Sequence, residues 1–180
     1  MKLIMPVIIA TLCAGCASVQ EHQISSDLSA SEYNNVYAKF YERPTFITTY
    51  DYEKDTDAML VKMDMYGTET SNLFFDEKEV GRYLAAIDKF IEWEDLARSR
   101  EDNFTKDIDT APAWNSGNLK FTFHSGNAKN YYLAISFCSL ICLEDQAQYY
   151  DLNNALALHE VLTSFSKGQL NTTNIDAVYQ

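Results

Sequence analysis

The sequence has few of the features from which enzyme active sites and nucleotide sites are built. Its six glycines form neither a phosphate-binding loop nor a Gly-x-Ser-x-Gly nucleophile motif. Of its three histidines, His124 falls on the polar face of a predicted strand and His159 on the flank of a predicted helix, which favours surface or boundary positions over general bases. The sequence therefore predicts no catalytic residue and no cofactor. Paired carboxylates leave no sequence signature, so a carboxylate-based hydrolase stays an alternative.

Basic residues are also scarce, since 14 Lys and Arg stand against 26 Asp and Glu, for a net charge of −12. Such a surface repels nucleic acid phosphates, which excludes nucleic acid as an expected partner, and it favours cationic proteins or ions. The densest acidic segment holds Asp51, Glu53, Asp55 and Asp57. It lacks the glycine and the terminal glutamate of an EF-hand loop, so a solvated acidic turn is favoured over a Ca²⁺ site. We predict no metal site.

The sequence has one long hydrophobic run, and it lies within the first fifteen residues. Lys2 gives a positive charge, residues 3–12 are almost wholly apolar but too short to span a bilayer as a permanent helix, and the small residues Ala14 and Gly15 follow. This order is typical of a cleaved export signal. It predicts that residues 1–15 are removed and that the mature chain, with a net charge of −13, is exported.

The segment Leu12-Cys13-Ala14-Gly15-Cys16 resembles the lipobox of bacterial lipoproteins, with Cys13 where a leucine is usual. The resemblance implies that Cys16 becomes the N-terminus, is acylated with chains such as palmitate, and anchors the protein permanently in a membrane. Ala17 rather than Asp after that cysteine resembles lipoproteins sorted to the outer membrane, where the domain would face the periplasm. The alternative is an ordinary secretory signal with an incidental cysteine. The mature domain resembles no family.

Two cysteines remain after cleavage, Cys138 and Cys142. Disulfides form and persist in exported proteins, so a disulfide is favoured over free thiols or a metal site. Four residues along an extended strand separate two Cα atoms by about 13 Å, which is too far for a bridge. A disulfide therefore requires residues 139–141 to form a tight loop.

The mature chain divides into a lipid-attached tether and one globular domain. Residues 17–30 are polar and lack a sustained apolar period, which predicts that 16–30 serve as a flexible tether. The remaining residues, 31–180, have the length and hydrophobic content of a single domain with its own core.

Within that domain the apolar spacing predicts a short helix over Ser31 to Glu42, followed by two hairpins and two further helices. The hairpins are Thr45 to Tyr52 with Ala58 to Tyr66, and Leu119 to His124 with Tyr131 to Cys138. Asp76 and Asp151 each follow an aromatic pair and precede a helical stripe, the first running to about Ser99. We also expect an edge strand over Asn103 to Asp109 and a loop over Ala111 to Asn118.

These elements predict an α+β domain in which an antiparallel sheet carries helices on one face. The recurrence of an aromatic pair, an aspartate and a helix at an offset of 75 residues raises two ββα halves as one interpretation, with a chance repeat as the other. Met59, Met63 and Met65 share one face of a predicted strand, so core packing is favoured over a Cu(I) site.

Aromatic residues are the remaining candidates for recognition. In each of the pairs Tyr131-Tyr132 and Tyr149-Tyr150 we expect one member in the core and one on the sheet face, and Trp114, in the predicted loop, is the candidate partner contact. Our first hypothesis is a non-enzymatic, lipid-anchored module that binds an envelope protein or complex. The alternatives are an inhibitor or immunity protein against a cationic toxin or a lysozyme-like enzyme, and the carboxylate hydrolase.

Overall fold

The computed structural model describes residues 19–52, 57–127 and 129–170. Nine strands and two α-helices follow one another along these segments, with short 3₁₀ turns at Glu77–Glu79 and Glu144–Gln146. The elements are, in order, β1 Val19–Ile24, β2 Ser29–Asn34, β3 Lys39–Tyr52, β4 Ala58–Asp64, β5 Thr70–Asp76, α1 Val80–Arg100, β6 Thr105–Pro112, β7 Asn118–Asn127, β8 Asn130–Cys138, β9 Gln148–Tyr150 and α2 Leu152–Ser166.

The strands form one antiparallel, curled sheet with the order β5-β4-β3-β2-β9-β8-β7-β6. The long strand β3 is its organising element, because β2 and β1 pair with successive lengths of the same edge. Lys39 to Pro44 pair with β2, and Ile47 to Tyr52 pair with β1. Between these two stretches, the N–H and the hydroxyl of Thr45 both donate to the carbonyl of Leu28, at 3.2 and 2.6 Å. The α+β prediction is thus confirmed at the level of an antiparallel sheet with two helices.

One face of the sheet, here called the inner face, encloses the core. Leu119, Phe121 and Phe123 of β7 are fully buried and alternate with more accessible residues, as the sequence predicts for a half-buried strand. Met59 and Met63 of β4 are also fully buried, which confirms the core interpretation of the methionine stripe. The opposite face is here called the outer face.

Helix α2 begins where predicted, α1 begins one 3₁₀ turn after Asp76, and the two helices pack on each other and on the sheet. Asp76 accepts a hydrogen bond from the N–H of Lys78 and caps the 3₁₀ turn that leads into α1. Asp151 caps α2 by accepting from the N–H of Asn154. At the other end of α1, Glu101 adopts a left-handed conformation with φ of 57°, which terminates the helix.

A buried amide connects the β4–β5 end of the curled sheet to its middle strand β9. Gln148 of β9 is fully buried, and its Nε2 donates to the carbonyls of Val61 in β4 and Ser71 in β5, at 3.0 and 3.2 Å. Its Oε1 accepts from the hydroxyl of Tyr150 at 2.5 Å. The Ser71 hydroxyl donates to the carbonyl of Gln146 at 2.6 Å, so β5 contacts the segment that leads into β9.

The helix predicted over 31–42 is wrong, because these residues form β2, a turn and the start of β3. The side-chain oxygen of Asn34 accepts hydrogen bonds from the N–H groups of Val36 and Tyr37, at 3.0 and 3.2 Å. These bonds form a turn that reverses the direction of the chain. Tyr33 and Phe40 then face each other as a cross-strand pair.

The tether predicted over 16–30 is also wrong for its described residues. Residues 19–24 form β1, and Leu28 and Ala30 are buried in the core. The physical reason is that the 14-residue β3 offers a long row of backbone donors and acceptors, which the polar segment satisfies by pairing.

Both predicted hairpins are confirmed as β3–β4 and β7–β8. The edge strand is confirmed as β6, which continues to Pro112 and so shortens the predicted loop to residues 113–117. Besides β1 and β2, two further strands were not predicted from the sequence, β5 and the three-residue β9. Each carries the aromatic pair that precedes a capping aspartate.

Candidate binding site

The hairpin formed by the end of β2 and the start of β3 crosses the outer face of the sheet. β2 pairs with β9 at one position only, Ser31 with Tyr149. Beyond that point residues 32–41, here called the arm, contact the outer face through the ring of Phe40. The ring stacks on Tyr132 of β8, with centroids 4.3 Å apart, and meets Tyr149 of β9 edge-on at 5.0 Å.

Phe40 is the centre of an aromatic cluster that also includes Tyr33, His124, Tyr132 and Tyr149. The ring centroids of Tyr33 and His124 lie 4.9 and 5.9 Å from that of Phe40. The centroids of His124 and Tyr149 lie 5.5 Å apart. Packed aromatic rings have few accessible conformations, so the cluster forms a rigid floor between the arm and the sheet.

A cleft of about 620 Å³ opens over this cluster. Besides the aromatic cluster, its described lining includes main-chain and polar groups of the β7–β8 hairpin and of the arm, namely Ala38, Lys39, Ser125, Gly126, Asn127 and Asn130. No carboxylate is among these lining residues, although the chain holds 26 Asp and Glu. The cleft is therefore a neutral to weakly cationic recess in an acidic protein.

Burial favours the neutral forms of His124, Tyr132 and Tyr149. Burial lowers the pKa of His124, whose Nδ1 lies 3.1 Å from the Thr105 hydroxyl. Burial raises the pKa of Tyr132 and of Tyr149, with smaller contributions in the same direction from nearby acidic groups. The cleft thus offers imidazole, phenol and amide groups, which can hydrogen-bond a neutral polar ligand, beside ring faces that accept an apolar one.

The arm has a fixed base and an exposed tip. At its base, Glu32 is buried, accepts from Arg43 Nη2 at 2.6 Å, and accepts from the N–H of Tyr66 at 2.7 Å. At its tip, Val36 and Tyr37 are 85% and 61% exposed. The Glu32–Arg43 ion pair and the hydrogen bond from Tyr66 fix the base of the arm. The apolar tip, Val36 and Tyr37, is thereby kept in solvent beside the cleft.

Trp114, the predicted partner contact, lies outside this cleft. Its ring stacks on Tyr52 with centroids 4.9 Å apart and lies 6.2 Å from the ring of Phe74, and the main-chain N–H of Trp114 donates to the Phe74 carbonyl. The residue is half-buried on the outer face where β3 and β5 end. Its role as a partner contact stays a prediction.

The predicted disulfide between Cys138 and Cys142 is present. It closes a loop in which the N–H of Ser139 donates to the carbonyl of Ile141 at 3.0 Å. Leu140 and Ile141 at the tip of this loop are 100% and 74% exposed. The chain thus holds two large aliphatic side chains in solvent on a covalently closed loop.

Several sequence predictions fall on residues that the structure does not describe. The signal peptide 1–15 and the acylation site Cys16 lie outside the described residues, as do 53–56 of the acidic segment. Of its described members, Asp51 lies 3.2 Å from His22 and Asp57 accepts from the N–H of Tyr52. Among the described residues, no group of three or more His, Cys, Asp and Glu is placed to hold a metal ion.

Sequence analysis located only part of the five-membered aromatic cluster. Tyr131 and Tyr150 are buried while Tyr132 and Tyr149 lie on the outer face, as predicted for each adjacent pair. Tyr33 and Phe40 were missed as site residues because they were assigned to the core face of a helix. The signal that could have found them is the Asn34-Asn35 pair between two β-forming segments.

Within 19–52, 57–127 and 129–170, no helix combines the length and the apolar character needed to cross a membrane. Comparison with known proteins finds no family model, no curated protein sequence and no solved structure that matches this chain.

Proposed function

We propose that this chain is a non-enzymatic, lipid-anchored protein of the cell envelope that binds another envelope protein through its arm and cleft. The observation that carries the proposal is the cleft itself, an aromatic recess free of carboxylates among its described lining, with an exposed apolar arm tip beside it. Attachment through Cys16 and placement on the periplasmic side of the outer membrane remain part of the proposal and rest on the lipobox resemblance.

The composition of the surface favours a protein partner. Interface cores are enriched in tyrosine and depleted of charged residues, and Tyr33, Tyr37 and Tyr41 of the arm are all exposed. Tyrosine gives large contact area with few rotatable bonds, and the arm is already ordered at its base by Glu32. The cleft has room for one or two side chains of an extended segment of the partner.

The inhibitor hypothesis requires a different surface. A cationic toxin or lysozyme-like enzyme would be held by carboxylates, and the described lining of the cleft has none while Lys39 contributes a positive charge. An affinity that falls steeply with salt would favour the inhibitor, since exposed ion pairs are screened. Binding through the cleft should depend only weakly on salt.

The hydrolase hypothesis has less support. It needs two carboxylates flanking a bound substrate, and the described lining of a second cleft, between β5 and the end of β8, includes no Asp or Glu either.

The two ββα halves also remain a proposal. The hairpins β3–β4 and β7–β8 are each followed by a strand that carries an aromatic pair, by a capping aspartate, Asp76 or Asp151, and by a helix. Superposition of the two backbones tests it. A duplication brings both aspartates and both helix starts into register, whereas a chance repeat aligns only one of them.

The proposed function is tested by site-specific photo-crosslinking in cells. A photoreactive residue replaces Tyr37 at the arm tip, and Phe40→Ala removes the centre of the cluster. Phe46→Ala is the matched control, because Phe46 is the same residue type on the same strand, is exposed, and does not line the cleft.

We expect one defined adduct from position 37 that is lost with Phe40→Ala, kept with Phe46→Ala, and stable to raised salt during purification. An adduct that survives Phe40→Ala, or that disappears at moderate salt, contradicts binding through the cleft. Fractionation of the Cys16→Ser form tests the anchor separately, because this form should leave the membrane fraction.

A further inference from the structure

The first described residue lies very near the proposed acylation site. Val19 follows Cys16 by three residues, and an extended chain spans at most about 3.6 Å per residue, so the two lie within about 11 Å. Because Val19 is already paired with Tyr52 in the sheet, only residues 17 and 18 lie between the proposed acylation site and the first described strand. The part of the domain around Val19 must therefore stay close to the membrane surface whenever Cys16 is acylated.

The residues that surround Val19 are suited to a lipid–water interface. Val19 itself is 44% exposed, and the indole of Trp114 stacks on its strand neighbour Tyr52. Tryptophan and tyrosine favour the level of the lipid headgroups, where an apolar ring meets a polar edge. These residues sit on the outer face at the end of β3.

The disulfide loop adjoins this surface. Asn118, which follows the loop that holds Trp114, pairs with Cys138, and a side chain at Gly117 would collide with the Cys138 carbonyl. Phe74 lies beside Trp114 and lines one cleft together with residues that flank the disulfide loop. Leu140 and Ile141 are therefore exposed on a loop that adjoins the loop of Trp114, and because the disulfide already closes it, little further ordering entropy is lost on contact.

We propose that Val19, Tyr52, Trp114 and the tip Leu140-Ile141, here called the basal surface, contact the lipid bilayer and set the orientation of the domain on it. The inference rests on the proposed acylation of Cys16, from which the distance limit follows. The expected surface is zwitterionic lipid, because Glu144 and Asp145 directly follow the loop and would be repelled by anionic headgroups.

The two tryptophans of the chain allow a test with an internal control. Trp93 lies on α1 beside Phe104 and under Lys106, at the start of β6, whereas Trp114 follows the end of that strand. Six residues of strand, from 106 to 112, separate the two ends by about 20 Å. Trp93→Phe leaves only the basal tryptophan, and Trp114→Phe leaves only the distant one.

Each acylated variant is reconstituted in phosphatidylcholine vesicles with and without brominated acyl chains, which quench nearby indoles. A third variant carries Leu140→Trp with both natural tryptophans replaced by Phe. We expect quenching of Trp114 and of position 140 to exceed that of Trp93 at least twofold.

Flotation of the same samples separates the two proposals. If the acylated protein does not float with the vesicles, or if the Cys16→Ser variant floats equally well, then the proposal that acylated Cys16 is the membrane anchor is wrong. If it floats in a Cys16-dependent manner but quenching at Trp114 or at position 140 is no greater than at Trp93, the basal surface is overturned while the anchor stands.

Discussion

Replacing Gln148 by methionine tests whether a single buried amide holds the β4–β5 end of the sheet against β9. The side-chain amide of Gln148 in β9 donates to the carbonyls of Val61 and Ser71, and its oxygen accepts a hydrogen bond from the hydroxyl of Tyr150. Methionine has nearly the same length but offers neither the donors nor a comparable acceptor. The change therefore removes the polar connection while leaving little empty space.

The expected cost can be built from the bonds that are lost. Each neutral hydrogen bond contributes about 1 kcal/mol net, and two carbonyls lose the amide as donor. The Tyr150 hydroxyl, in a fully buried side chain, is left without an acceptor at a further cost of about 1–3 kcal/mol. After a small gain from burying the thioether, we expect Gln148→Met to lower the free energy of unfolding by about 3 kcal/mol, or the melting temperature by about 6–12 °C.

A double-mutant cycle with Tyr150→Phe separates the amide–hydroxyl bond from general disruption of the core. Tyr150→Phe alone should cost about 1–2 kcal/mol, because it leaves the Gln148 oxygen unsatisfied. In the double variant both the amide oxygen and the hydroxyl are gone, so neither is left buried without its partner. The loss of stability of the double variant should therefore be smaller than the sum of the two single losses by about 1 kcal/mol. Urea unfolding of the unacylated Cys16→Ser protein measures all four states. A loss below about 0.5 kcal/mol for Gln148→Met, or strict additivity, would falsify the reasoning.

Three further predictions use the same unfolding assay. Burial lowers the pKa of His124, so the unfolded chain binds a proton at this imidazole more readily than the folded chain, and the free energy of unfolding should fall as the pH drops below about 6.5. His124→Gln should flatten this pH dependence, and an unchanged pH dependence would contradict the lowered pKa of His124. Cys138→Ser opens a five-residue disulfide loop and should cost about 2 kcal/mol, a change that reduction of the parent protein should reproduce. Asp151→Ala removes the side chain that caps α2 and should cost about 1 kcal/mol, whereas Asp145→Ala, which caps no helix, should cost almost nothing.

The parts of the fold that sequence analysis found are those in which one pattern has one structural meaning. In β7, Leu119, Phe121 and Phe123 alternate with polar residues over a length that only a strand with one buried face explains. In α1 and α2 an aspartate precedes a stripe of helical period, and both signals point to the same element. The disulfide was predicted from the expected export of the chain, and the four-residue spacing added the requirement of a tight loop.

The arm was missed because its pattern has two meanings. Tyr33, Val36, Tyr37 and Phe40 are spaced as on one face of a helix, yet the same spacing places Tyr33 opposite Phe40 when a turn at Asn34 folds the chain back. Local spacing does not distinguish the two. The decisive contacts, those of Phe40 with Tyr132 and Tyr149, join residues about a hundred positions apart in sequence and leave no local trace.

The polar segment before the arm was misassigned for a related reason. Residues 19–24 carry no apolar alternation, because β1 lies at an edge of the sheet with little of its surface buried. Its structure comes from the backbone of β3 rather than from its own side chains. Hydrophobic patterns in a sequence reflect side-chain burial, so they do not predict a strand that is held mainly by main-chain hydrogen bonds.

The strand β3 joins the two proposed surfaces and fixes their separation. Tyr52 at its end belongs to the basal surface and Phe40 near its start is the centre of the aromatic cluster, so the two are twelve positions apart on one strand. At about 3.3 Å per residue this places the cleft up to about 40 Å from the membrane contact. A partner bound in the cleft would then be held by a rigid strand rather than by a tether. Lengthening the chain between Cys16 and Val19 should therefore weaken the orientation of the domain on the membrane while leaving the affinity of the cleft unchanged.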